Sequence, residues 1–194
     1  MRIITTDTIL HGLVAPALTL LHRSHPLLSF DLHAGNELTS LTRRGADIAL
    51  RATKKPPQHL VGKYVGPIQV ALFSAKNAGM KRFDALVAGK SSWIAPDDAV
   101  PEHPLVIWRN KHFPRISPTY RVNSILTVAE LVGQGLRIGI LPIFMTQNQP
   151  DLTQLTEVLD ECQAELRLLT HTESRHLRRL SIVFNYLSQS LKLD

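Results

Sequence analysis

Asn123-Ser124-Ile125-Leu126-Thr127-Val128-Ala129-Glu130-Leu131-Val132-Gly133-Gln134-Gly135-Leu136-Arg137-Ile138-Gly139-Ile140-Leu141-Pro142 carries two hydrophobic periods back to back. Asn123 or Ser124 is of the type that caps a helix N-terminus. Ile125, Val128, Ala129 and Val132 then recur at three- and four-residue steps, which predicts a helix. Gly133-Gln134-Gly135 stops it, and Arg137–Leu141 predicts a buried strand ended by Pro142. Just before, Thr119-Tyr120-Arg121-Val122 also reads as a strand. Strand, helix and strand in quick succession make an α/β unit.

The same alternation extends in both directions. Towards the N-terminus, Pro101–His112 predicts a helix, Ser92–Ala95 a buried strand and Phe83–Val87 a short helix. Towards the C-terminus, Leu166–Thr170 predicts a last strand. Leu177, Leu180, Phe184, Leu187 and Leu191 then form the stripe of a final amphipathic helix. The first half begins with a strand over Arg2–Thr6, and Asp7 or Thr8 caps a helix bearing Ile9, Leu10, Leu13, Val14, Ala17, Leu18 and Leu21. Pro16 lies inside that helix and should cost it a hydrogen bond or a bend. Ser24-His25-Pro26 ends it, Leu27–Leu32 predicts a strand, Gly35-Asn36 caps a short helix around Glu37–Arg43, and Ile48–Arg51 predicts another strand. Lys54-Lys55-Pro56-Pro57-Gln58 reads as a surface loop. Leu60–Ser74 reads as two strands in line, broken at Gly66-Pro67, where the chain crosses between domains. The expectation is an α/β fold with a mostly parallel sheet in each half.

Composition bounds what such a chain can be. Its 194 residues are 44% hydrophobic, enough for a buried core and too many for a disordered chain. A single cysteine excludes a disulfide framework or a cysteine-based zinc cluster. No apolar run approaches the length of a membrane span, and the polar opening Arg2-Ile3-Ile4-Thr5-Thr6-Asp7 is unlike a secretory leader. The expected setting is cytoplasmic and reducing. Lys and Arg number 22 against 16 Asp and Glu, a net +6 that favours anionic partners without naming one.

Several chemistries can be set aside. Gly133, Gly135 and Gly139 superficially match a dinucleotide fingerprint but follow a helix and precede a strand, the reverse of what phosphate binding requires; a helix C-cap and tight turn fit better. Nine histidines include the spaced pair His22 and His25, but none falls in a metal-ligand pattern, so no metal is expected. Cys162 sits among Asp160, Glu161 and Glu165, which raise a thiol pKa. Ser124 and Ser181 lack a nucleophile elbow. No catalytic set and no cofactor site is read. Arg43-Arg44 and Arg175-x-x-Arg178-Arg179 can meet phosphates, but a solvated helix face is the better reading without a DNA-reading motif.

Binding chemistry gathers instead at the carboxyl ends of the predicted strands, where open α/β sheets take ligands. The segments there are Thr5-Thr6-Asp7-Thr8, Gly35-Asn36, Arg51-Ala52-Thr53, Ile94-Ala95-Pro96 and Asn123-Ser124-Ile125. Three open helices and offer free N–H groups beside polar side chains, and Arg51 adds a fixed fork of donors. That lining suits a small anion. Taken singly, each Thr, Asn or Ser is a plain helix cap; the case rests on their occurring together in both halves.

The order of these segments resembles the effector-binding, or regulatory, domain of LysR-type transcriptional regulators. The matching stretches are Arg2-Ile3-Ile4 with Thr8 and Pro16, Arg43–Arg51, Leu60-Val61-Gly62, Trp93–Asp98, Arg121–Ser124, Gly133–Pro142 and Leu166–His171 with its helix. The resemblance implies a type 2 periplasmic-binding-protein-like fold: two Rossmann-like subdomains joined by two crossover strands. Subdomain I would be residues 1–71 plus 171–194, and subdomain II residues 72–170. It implies an effector in the cleft, an organic acid or amino-acid-like molecule, lined by Thr6, Asp7, Thr8, Ile9, Asn36, Arg51, Ala52, Ile94, Ala95, Asn123 and Ser124. It also implies a homodimer of antiparallel regulatory domains, a tetramer at full length, and DNA contact only through an N-terminal winged helix-turn-helix that this sequence lacks. A single cysteine does not suit the paired-cysteine mechanism of peroxide-sensing relatives. The competing readings are a stand-alone solute-binding protein of the same fold, and an enzyme on a similar two-lobed scaffold.

Overall fold

The structure is a computed structural model that describes residues 1–35, 45–80, 83, 93–96, 103–147 and 149–193. The chain forms two compact units, Met1–Ile68 with Ala164–Asp194, and Gln69–Gln163. Each carries its own strands and core.

In the first unit β1 (Arg2–Thr5), β2 (Asp31–Ala34), β3 (Ile48–Ala52), β4 (Leu60–Ile68) and β10 (Ala164–His171) form one sheet in the order β2-β1-β3-β10-β4. β1 is parallel to β2 and β3, whereas β10 is antiparallel to both β3 and β4. Helices α1 (Asp7–Ile9), α2 (Ala15–Ser24) and α6 (Arg178–Ser190) belong to this unit. Ile3, Leu21, Leu50, Leu166, Leu168 and Leu187 are fully buried in its core.

The second unit holds β5 (Val70–Ala75), β6 (Ile94–Pro96), β7 (Tyr120–Val122), β8 (Gly139–Pro142) and β9 (Leu152–Gln154), with α3 (Pro104–His112), α4 (Ile125–Gly133) and α5 (Ile143–Thr146). β5 is antiparallel to β8 and β9. β6 and β7 are parallel, and a Trp93–Ile138 bridge leads from their edge to β8. The first unit's sheet is therefore mixed, and the second unit pairs an antiparallel three-stranded sheet with a parallel two-stranded one, so neither half is mostly parallel. The antiparallel members are the strands flanking the two chain crossings and β9, whose pairing is long-range and leaves no local periodicity.

The helix and strand of residues 123–142 fold largely as expected. Ser124 caps α4 by accepting the Thr127 N–H at 3.3 Å. At its far end Gly135 has φ +86°, the Leu136 N–H donates to the Leu131 carbonyl and the Gly135 N–H to the Val132 carbonyl. That is the Schellman closure in which glycine takes the left-handed position at no steric cost. The glycine triplet is thus a helix stop. The next strand begins at Gly139, later than the expected Arg137, because Arg137 itself has φ 118°.

Other boundaries moved for physical reasons. Only Asp31 and Leu32 of the expected strand Leu27–Leu32 are in one: the Leu28 N–H bonds back to His25 in a turn and Leu27 is 99% exposed, so β2 starts at Asp31 and runs on to Ala34. The extended chain runs through Gly66-Pro67 and breaks at Gln69; β4 is an edge strand, where a missing N–H is tolerated. The last strand pairs deep within the first unit: Leu168 lies opposite Leu50 and Leu169 opposite Ala49. Pro16 is absorbed by a π-helical turn over Leu10–Val14, in which the Ala15 N–H reaches the Leu10 carbonyl. α3 starts at Pro104 behind a His103 cap. The expected helices at Glu37–Arg43 and over residues 84–87 lie outside the described residues, as do Arg43, Arg44 and Asn36.

Candidate functional site

Two clusters form at strand carboxyl ends, one in each unit. In the first, Thr5 pairs with Ala34 and the Gly35 N–H donates to the Thr5 carbonyl at 2.9 Å. Arg51 leaves the end of β3 and its Nη1 donates to the Gly35 carbonyl at 2.8 Å. The ends of β1, β2 and β3 and the start of α1 are thereby brought together. Arg51 is only 4% exposed, and burial lowers its pKa from the usual arginine value. A guanidinium nonetheless remains cationic at neutral pH, so this is a buried fixed charge.

The helix start beside it is locally closed. Thr6 Oγ1 accepts the Ile9 N–H at 3.4 Å, and Asp7 Oδ1 accepts the Thr8 N–H at 2.7 Å and the Thr8 hydroxyl at 3.0 Å. Thr8 and Ile9 are buried, whereas Ala52 is exposed. Thr5 is fully buried, and its hydroxyl has no hydrogen-bond partner among the described residues.

In the second unit Ile94, Ala95 and Pro96 pair in parallel with Tyr120, Arg121 and Val122. Parallel pairing places the carboxyl ends of the two strands side by side, so Ile94-Ala95 and Asn123-Ser124 share one end of the sheet. Ile94 and Ala95 are buried, Ser124 is half-buried and Asn123 is exposed.

One residue has no counterpart among the sequence candidates. Arg167 lies directly opposite Arg51 in the β3–β10 ladder. Residues directly opposite share a face, and like charges there destabilise the pair. Glu165 offsets this: its Oε2 accepts from Arg167 Nη2 at 2.7 Å, while Arg167 Nε donates to the Thr53 carbonyl at 3.2 Å. The Tyr64 ring lies 6.0 Å from the guanidinium. In sequence, Arg167 is one polar residue in an apolar strand; only the register marks it.

Cys162 is 2% exposed, and its thiol pKa is raised to about 11. Burial is the larger cause and Glu161 the smaller, so an acidic neighbour does act as expected, but second to desolvation. Among the described residues no group of three or more His, Cys, Asp or Glu is placed to hold a metal. No described helix is long and apolar enough to cross a membrane.

A family model described as the LysR substrate binding domain matches residues 1–192, and the chain belongs to that family. Among solved structures it is similar to the regulatory domain of CrgA, a LysR-type transcriptional regulator from Neisseria meningitidis, with TM-score 0.82, 16% identity, and coverage of 99% of this chain and 98% of that one. It is also similar to the AmpR effector binding domain from Citrobacter freundii, with TM-score 0.73, 14% identity, and 97% and 96% covered. An HTH-type transcriptional regulator of Xanthomonas campestris pv. campestris (strain 8004) is 34% identical over 62 residues, which is 32% of this chain and 18% of that protein. The fold is therefore the periplasmic-binding-protein-like type 2 fold of LysR regulatory domains, and the family is one of transcription regulators, not enzymes.

Proposed function

We propose that this chain senses a small anionic effector, an organic acid or amino-acid-like molecule, held between its two subdomains. The strand-end residues of the two units, with Asn36, would supply the lining. Effector binding would shift the balance between two subdomain arrangements, which requires different affinity for the two. In a full-length cytoplasmic regulator this shift would control DNA binding by an N-terminal winged helix-turn-helix. Paired antiparallel copies would transmit it, as a tetramer at full length.

The observation that carries this reading is Arg51: a buried cation at the carboxyl end of β3, beside the Gly35 carbonyl and the start of α1. A guanidinium there fixes a positive charge at the strand end, and its planar fork has the geometry that carboxylates match. Asp7, next to Thr8 in sequence, favours a ligand that also carries a cationic group, which is why amino acids belong in the test.

The test is thermal unfolding against a panel of organic acids and amino acids, with wild type and Arg51→Ala. A ligand at about 100 times its Kd stabilises by about 2.7 kcal/mol, or roughly 5–11 °C in a chain of this size. The reading expects at least one such shift, lost in Arg51→Ala. No shift across the panel, or an equal shift in the variant, would overturn it.

A further inference from the structure

We propose that the first unit carries a second, separate surface that holds the sugar–phosphate backbone of duplex DNA without reading its sequence. It lies at the end of the sheet where the parallel strands begin, opposite to the strand carboxyl ends.

Hydrogen bonds fix what gathers there. The Asp47 N–H donates to the Arg2 carbonyl at 2.9 Å, and Thr170 Oγ1 donates to the Asp47 carbonyl at 2.8 Å, so the start of β1, the start of β3 and the end of β10 are level. α2 runs back from the far end of β1 and finishes at Ser24 with His25 as its cap, and the Met1 ammonium donates to the Ser29 carbonyl at 2.9 Å. β10 finishes at His171, and α6 starts shortly after at Arg178 and packs on α2 and β10. The C-terminal end of α2 and the chain leading into α6 therefore share this end.

Arg23 and His22 lie in the last turn of α2, and Arg175, His176, Arg178 and Arg179 lie at and just before the start of α6, all exposed. None of the four guanidinium groups has an ion-pair partner among the described residues. Among the described acids at this end, Asp31 is paired with Arg2 and His33 and Glu173 has its own contact, while Asp47 accepts the Arg2 backbone N–H and keeps its charge. Arg178 and Arg179 also occupy the first turn of α6, which has no acidic residue. Cations there oppose the helix dipole. Functional sites are where proteins break such local rules. Four exposed arginines from two elements at one end of the unit, with no ion-pair partner among the described residues, suit the phosphate contacts that give salt-dependent, sequence-independent DNA binding.

Taken alone, the helix carrying Arg178 and Arg179 presents only a solvated basic face. The structure adds a second contributor, Arg23, at the same end of the unit and an Asp31 already paired with Arg2 and His33. This surface does not depend on the effector site, and the two proposals can fail separately.

The experiment is fluorescence anisotropy of a labelled random-sequence duplex titrated with the 194-residue chain, from low to moderate salt. Two triple variants are compared, R175A/R178A/R179A and K54A/K55A/K76A, which remove equal charge inside and outside the surface. Circular dichroism confirms that both stay folded. Wild type should bind at low salt with a steep salt dependence. Each lost phosphate contact lowers the slope of log K against log salt by about 0.9, so the arginine variant should lose about 2.7. The lysine variant should change it by less than about 1. Poly-glutamate is the competitor, because an acidic polypeptide would meet the same four charges without the phosphate geometry. The proposal is overturned by no binding at low salt, by equal losses in both variants, or by poly-glutamate displacing the duplex at equal charge concentration.

Discussion

Gly139→Ala tests the packing that sets the second unit's site. A Cβ at Gly139 would meet Val128 Cγ1 at 2.6 Å, Val132 Cγ2 at 2.9 Å and the Ile94 carbonyl oxygen at 3.5 Å. Carbon atoms rest at about 3.5–4.0 Å, so β8 and α4 would have to part by about 1 Å. Overpacking of this kind costs about 1–3 kcal/mol. Alanine returns part of that, roughly 0.5–1 kcal/mol, through its lower unfolded-state entropy. The net expectation is a loss of about 1–2 kcal/mol. Trp93 and Trp108 both lie in this unit and report its unfolding in urea by fluorescence. Val128→Ala removes the nearer methyl, so Gly139→Ala/Val128→Ala should cost less than the sum of its parts, by about 0.5 kcal/mol or more. Gly133→Ala is the control. Nothing lies within 4 Å of its added Cβ, and at the end of α4 it should be neutral or stabilising by up to roughly 1 kcal/mol. A Gly139→Ala protein as stable as wild type, or strict additivity with Val128→Ala, would refute this account of the β8–α4 contact.

In the first unit, a Cβ at Gly62 would clash with the Leu168 backbone oxygen and lie 2.8 Å from Leu169 Cδ2, so Gly62→Ala should lower the urea midpoint more than Gly139→Ala does. Cys162, with its pKa raised to about 11, is about 0.1% thiolate at pH 8. A disulfide reagent should label it at least about 100-fold faster in urea than in the native chain; equal rates would show an exposed, activated thiol instead. His103 caps α3 by accepting the Leu105 N–H at 3.4 Å, and burial lowers its pKa from the ordinary value of 6.5. The unfolded chain then binds the proton more tightly, so this contribution to stability is present above about pH 6.5 and is lost as pH falls towards the folded pKa. Urea midpoints at pH 7.5 and 5.5 should differ more in wild type than in His103→Asn, which caps without titrating.

Local signals made part of this fold legible. The α4 stripe, its Ser124 cap and its glycine stop are all encoded within a few residues, and the structure reproduces them. The α6 stripe held for Leu180, Phe184, Leu187 and the capping Leu191, which are buried, but not for Leu177, 48% exposed before the first turn. What escaped depends on distant partners. The antiparallel β10 joins β3 to β4 across most of the chain length, and no local period announces that. Leu27 and Leu28 are apolar but lie in a turn, so their hydrophobicity misled the strand boundary. Pro16 announced a defect without saying that a π turn would absorb it.

The candidate site divides the same way. Ser124 caps α4 as its type and position suggested, but the cap of α1 is Thr6 and not the expected Asp7 or Thr8, which lie inside the first turn. That Arg51 reaches the Gly35 carbonyl, and that Arg167 stands opposite it, depend on strand pairing that no local pattern encodes.

The most direct test of effector sensing is hydrogen exchange with and without the acid or amino acid that gives the largest thermal shift. The account predicts slower exchange at the strand ends of both units, in residues 5–9, 35 and 51–53 of the first and 94–96 and 123–127 of the second. Protection confined to one unit, or falling elsewhere in the chain, would contradict a ligand held between the two.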